Sequence, residues 1–155
     1  MESIGAVDEA IDPDVDLHVP AHRREFSARL LGVIAVGGSL GALARYGISQ
    51  WLPTTPGHFP WGTLLINLFG CFCIGVLMVL ITEVWSAHPL LRPFLGVGVL
   101  GGFTTFSTYA NEVRGLLRPG LVPVAFGYLG GTVLGAVVAA IGGVWLTRWL
   151  VGARR

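Results

Sequence analysis

The sequence predicts an all-α integral membrane protein with four transmembrane helices, and three observations carry that expectation. The 155 residues are 53% hydrophobic and only 12% charged, with a mean hydropathy of +0.70, whereas a soluble domain carries about a quarter charged residues. Four apolar stretches, near residues 30–52, 60–82, 90–113 and 121–147, are each long enough to cross a hydrocarbon core of roughly 30 Å. Their connections are short and marked by Pro53 and Pro56, by His88 and Pro89, and by Pro119 and Gly120, which makes consecutive stretches antiparallel neighbours. The formal net charge is +1, there is no lysine, and no basic patch lies outside the flanks of the spans, so nucleic acid is excluded as a partner.

Residues 1–27 form a polar leader with Asp8, Glu9, Asp12, Asp14 and Asp16 and no apolar period, which predicts a disordered acidic tail ahead of a membrane domain at 28–155. Arg23-Arg24-Glu25-Phe26 before an apolar run has the form of a twin-arginine export signal, with Ala42-Leu43-Ala44 as a cleavage site. The other reading makes these arginines cytoplasmic anchors of a first span. The apolar run continues past that cleavage site to Trp51 and Leu52, which favours anchors.

Within the first stretch, Gly37 and Gly41, and Gly38 and Ala42, repeat at four residues, giving a small-residue face that lets helices approach closely in lipid. Arg45 lies about two-thirds along it; a charge there costs at least ~2.5 kcal/mol unless it snorkels or is paired. It either reaches the near interface or stands at a pore mouth. The second stretch holds Asn67 with Thr63, Gly70 and Cys71 on one helical face. An amide in hydrocarbon needs partners, found across a helix interface or on a permeating species. Cys71 and Cys73 have a C-x-C spacing, but no histidine lies near them in sequence; small-residue packing accounts for them better than a metal, and helix geometry disfavours a disulfide between them.

The third stretch contains GGFTTFSTYANE, residues 101–112, and is the most informative segment. Thr104, Ser107, Thr108 and Asn111 follow helical spacing and predict one polar stripe, with Phe106 and Tyr109 on another face. Gly101-Gly102 weakens helical continuity at mid-membrane and can free carbonyls to face a cation. Polar, irregular backbone at that depth survives only when buried in protein or lining a water-filled path. Hydroxyls bonded back to their own helix would explain one or two of these residues but not the whole set. In the fourth stretch, Gly127, Gly131, Gly135, Ala139 and Gly143 repeat at four-residue steps, which predicts a packing ladder at a subunit interface, with Tyr128 and Thr132 beside it.

GGSLGALARY (37–46), WGTLLINLFG (61–70) and GGFTTFSTYANE (101–112), with a tyrosine and small residues in the last stretch, together resemble the small bacterial fluoride channels, the Fluc or CrcB family, over about residues 30–150. The resemblance implies four-helix subunits with the third helix broken at mid-membrane, paired as an antiparallel dimer in the cell membrane around two fluoride pores. It implies that Asn67 donates to the anion and that Phe106 turns its ring edge to the pore. It puts Tyr109 where the family has a second phenylalanine, adding a hydroxyl. Backbone carbonyls of Gly101 and Thr104 from both subunits would hold a structural, untransported sodium ion. Ser107, Thr108, Tyr128 and Thr132 would form the polar track, with Thr132 where a serine is more usual. Fluoride is small and tightly hydrated, so N–H groups, hydroxyls and positive ring edges suit it. No fixed positive charge sits near Asn67 or Phe106 in sequence to trap it.

Rival classes fit less well. A proton-coupled small multidrug exporter needs a carboxylate within a span, typically the first, whereas Glu83 and Glu112 fall at span ends. An enzyme within the membrane lacks a base, because His18, His22, His58 and His88 all fall in the tail or loops. A scaffold has no use for the third-stretch stripe. With four crossings, Arg23, Arg24, Arg29, Arg92, Arg148, Arg154 and Arg155 share one side against Arg114 and Arg118, or those two with Arg45. That bias predicts cytoplasmic termini, and the antiparallel partner is then either an oppositely oriented paralogue or a second copy inserted the other way.

Overall fold

The computed structural model describes residues 28–85 and 89–152. The acidic leader 1–27, with its Arg23-Arg24 pair, and His88, Arg154 and Arg155 lie outside the described residues. The regular elements of the described residues are all helices, without strands: α1 (Ala28–Trp51), α2 (Trp61–Val79), α3 (93–103), α4 (Phe106–Leu116) and α5 (Val122–Gly152). α2 runs on through Leu80–Val84 in wider π turns, and Trp85 N–H closes the last of them on the Leu80 carbonyl at 2.8 Å. α3 is made of π turns at Pro93–Leu100, continued by one α turn at Gly101–Phe103. Gly57 and Gly120, in the connections after α1 and α4, adopt φ of 84° and 87°, a left-handed backbone that favours glycine.

Among the described residues, three helices are long and apolar enough to cross a membrane: Ala28–Trp51, Trp61–Val84 and Val122–Gly152. The third apolar stretch is divided. Thr104 (ψ 159°) and Thr105 (φ −145°, ψ 118°) are extended, separating α3 from α4. Each part is 11 residues long, against the roughly 20 that a spanning helix needs, so neither spans a bilayer alone.

The small-residue face of α1 packs on α3. A methyl on Gly37 would stand 2.6 Å from the Phe94 carbonyl oxygen, and one on Gly41 would overlap the Val99 carbonyl. α2 packs along α5 in the same way: a methyl on Gly75 would overlap the Ala140 carbonyl, and one on Gly143 the Phe72 carbonyl. Lipid is as apolar as a side chain, so such backbone-to-backbone approach is what holds these helices together. The α5 glycine ladder therefore corrects the sequence expectation. Its C-terminal part, Gly135 and Gly143, is covered by Leu68 and Phe72 of α2, and only Gly127 and Gly131 meet nothing. Four-residue spacing identifies a packing face without telling which helix covers it.

A smaller cluster joins α4 to the start of α5 through Tyr109, Val113, Leu116, Ala125 and Tyr128, with Phe59 and Leu64 against it. The outer faces of α1 and α5 leave Leu43, Val138 and Trp145 exposed, an apolar surface suited to lipid. Gly75→Leu is expected to destabilise the α2–α5 pair by about 1–3 kcal/mol through overpacking. Gly32→Ala, at a position with open space, should change stability by no more than about 0.5 kcal/mol. Thermal unfolding in detergent checks both.

Candidate functional site

The break between α3 and α4 is held by one side chain. Asn67 of α2 donates Nδ2–H to the Thr105 carbonyl at 3.0 Å and accepts the Thr105 N–H on Oδ1 at 2.8 Å. The amide thus pairs with both backbone polar groups of one residue, as a neighbouring strand would. In a continuous helix the Thr105 N–H would go to the Gly101 carbonyl; diverted to Asn67, it leaves that carbonyl without its usual donor. Arg45 attends to the next one, donating Nε–H to the Gly102 carbonyl at 3.1 Å. The Arg45 side chain is thereby turned toward the break. Thr104 keeps its bonds to α3, with both N–H and hydroxyl donating to the Leu100 carbonyl at 3.0 Å.

Thr105 then starts α4. Its Oγ1 accepts the Thr108 N–H at 3.2 Å and its hydroxyl donates to Thr108 Oγ1 at 2.9 Å, a threonine N-cap. The first-turn N–H groups of Phe106 and Ser107 have no partner within the helix, and they form the positive end of its dipole. The expected polar stripe is corrected here: Ser107, Thr108 and Asn111 lie on α4, but Thr104 lies across the break in extended backbone and does not share their face.

Two open cavities flank α4. A groove of about 370 Å³ between α2, the break and α5 is lined by Asn67, Cys71, Thr104, Phe106, Tyr109 and Thr132, among others. Phe106 is 79% exposed, and its ring centroid lies 5.8 Å from that of Tyr109. Tyr109 is buried and donates its hydroxyl to the Leu129 carbonyl at 3.0 Å, so the extra oxygen ties α4 to α5. Thr132 is 6% exposed, yet its Oγ1 has no hydrogen-bond partner. Thr147, equally buried on the same helix, bonds back to the Gly143 carbonyl at 2.7 Å. A buried hydroxyl left unpaired costs about 1–3 kcal/mol, and Thr132 carries that cost.

The second cavity, a mouth of about 300 Å³, opens between the loop after α1 and α4 and is lined by Thr54, His58, Thr108, Asn111, Glu112 and Arg118, among others. Asn111 accepts from Arg114 there at 3.0 Å. Glu112 gathers three donors from elsewhere in the chain: Thr54 at 3.1 Å, Thr63 of α2 at 2.8 Å and Tyr128 of α5 at 2.7 Å.

The structure therefore brings Asn67, Thr104, Phe106, Tyr109 and Thr132 to one groove and Thr108 to the mouth. Ser107 is exposed, its hydroxyl 3.5 Å from that of Thr105. Tyr128 is fully buried, lines neither cavity and spends its hydroxyl on Glu112. Gly101 is exposed beside the break. Sequence reasoning missed Thr105, although a threonine ahead of the α4 run is an N-cap signal. It also missed Glu112 as a hub, because the partners that make it one come from three other parts of the chain.

The CrcB-like protein, camphor resistance (CrcB) family model matches residues 32–144. The chain belongs to the CrcB family. It is 55% identical over 139 residues, 90% of this chain and 99% of the relative, to fluoride-specific ion channel FluC 2 of Nocardia farcinica. It is 53% identical to FluC 1 of Streptomyces coelicolor over 83% of this chain and 79% of that protein. The FluC of Chloroflexus aurantiacus matches at 45% over 77% and 95%. These CrcB relatives are named ion channels, and the family is not enzymatic. Its apolar helices make this CrcB member a membrane protein.

If Glu112 is a hub, Tyr128→Phe and Glu112→Gln should each destabilise the protein and together lose less than the sum. A coupling of about 0.5–3 kcal/mol is expected for groups in direct contact. A double-mutant cycle of thermal unfolding in detergent measures it.

Proposed function

We propose that this chain forms a fluoride-specific channel that lowers cytoplasmic fluoride by passive efflux across the cell membrane. The observation that carries the reading is the unpartnered, buried Thr132 hydroxyl in the same groove as Asn67 and the Phe106 ring. Membership of a family whose curated relatives are named fluoride channels supports it.

Fluoride gives up its water only to donors that replace it. Asn67 spends one Nδ2–H on Thr105 and has a second, and the pairing with Thr105 holds its amide at a fixed angle. Thr132 contributes a free O–H, Phe106 a positive ring edge, and the α4 N-terminus unpaired N–H groups. None of these is a full positive charge, so the anion is held without being trapped. Thr108 and Ser107 would serve nearer the mouth. Tyr128 acts by holding Glu112 rather than by touching the ion.

The divided segment 93–116 makes the fourth crossing of a multi-pass subunit, with the break half-buried against α2 and Arg45. An antiparallel partner, a second copy or an oppositely oriented paralogue, covers the open Gly127 and Gly131 face and completes the pore. A structural sodium ion suits the break: the Gly101 carbonyl has lost its helical donor, and neutral carbonyl oxygens are hard ligands for a hard cation. Gly101 and Thr104 would hold it, and it would supply a fixed charge that locks the two subunits' breaks together.

Purified protein in liposomes should release fluoride down its gradient and retain chloride, as read by ion-selective electrodes. Phe106→Ile should stop that release while leaving oligomer size unchanged, whereas Tyr109→Phe should conduct. Equal chloride release would overturn the reading. Exhaustive replacement of sodium by a larger cation should slow fluoride release, with no sodium crossing, and adding sodium back should restore the rate.

A further inference from the structure

Resting on the channel reading, we infer that Cys71 is a thiol of the ion path and a site where soft, thiophilic metal species block conduction. Cys71 follows Asn67 by one helical turn on α2, so both project from one face, and both line the groove that holds Phe106 and Thr132. Its sulfur is a free thiol, half-buried rather than sealed in the packing. The groove also contains the unpartnered hydroxyl of Thr132, 6% exposed, which marks it independently as a place built to receive a ligand. Cys73, two residues on, is a free thiol of similar exposure but does not line the groove, because two residues turn a helix by about 200°. The chain thus carries its own control.

The chemistry needs a thiol ligand and a soft metal that prefers sulfur. Mercuric chloride is linear and uncharged, which lets it enter an apolar groove. Cys71 loses its proton and its sulfur displaces one chloride, leaving a sulfur–mercury–chloride adduct, a free proton and a free chloride. No electrons are transferred. The adduct occupies the groove that Thr132 also lines, one turn from the Asn67 amide, where a fluoride would have to pass.

The test uses the full chain in liposomes. Mercuric chloride should stop fluoride efflux from wild-type protein and from Cys73→Ser, and excess dithiothreitol should restore it. Cys71→Ser should be resistant relative to its own untreated rate. Mass mapping after treatment should find the mercury adduct on Cys71 of the wild-type protein. Block that persists in Cys71→Ser, or is lost in Cys73→Ser, overturns the inference. If untreated protein passes no fluoride, the channel reading fails, and an adduct absent from Cys71 then removes the thiol's placement as well.

Discussion

The reciprocal pair between the Asn67 amide and the Thr105 backbone is the interaction on which the rest of the site depends. A helix interrupted at membrane depth exposes donors and acceptors that lipid cannot satisfy. Here a single side chain takes both backbone polar groups of Thr105, at 3.0 and 2.8 Å. The extended conformation of Thr104 and Thr105 is thereby stable in a place where it would otherwise be costly. Everything else at the break follows: the Gly101 carbonyl is freed, Arg45 has the Gly102 carbonyl to bond, and α4 begins with its N-terminus facing the groove.

Close backbone contact makes that pairing possible. Gly70, one turn from Asn67, has no room for a methyl against the Thr104 side chain, so α2 lies near enough for an asparagine to reach the Thr105 backbone. The glycine faces of α1 on α3 and of α2 on α5 set the depth of the break relative to its neighbours. Small residues in this protein act less as flexible points than as the means of bringing polar groups within hydrogen-bond reach where the hydrophobic effect provides no drive.

The polar residues divide into those that hold structure and those left free. Glu112 is engaged by three hydroxyls, and Tyr109 and Tyr128 spend theirs on Leu129 and Glu112. Thr132 spends nothing. A membrane interior penalises each unsatisfied group, so the one buried side-chain exception among the described residues has more to say about function than the many satisfied ones.

Much was legible in the sequence because it depends on local chemistry. Apolar run length located the helices within a few residues, small-residue spacing identified the packing faces, and GGFTTFSTYANE marked both the family and the site. The tertiary structure decided what depends on partners distant in the chain. It moved the break to Thr104 and Thr105, two residues beyond the glycines that suggested it, because Asn67 competes there for the backbone. It turned Arg45 inward, assigned the Gly135 and Gly143 steps to α2, took Thr104 out of the polar stripe and made Glu112 a hub for Thr54, Thr63 and Tyr128. Helical period specifies which residues share a face, but a hydrogen bond between residues 38 or 57 positions apart, as from Asn67 to Thr105 or Arg45 to Gly102, exists only once the helices are packed.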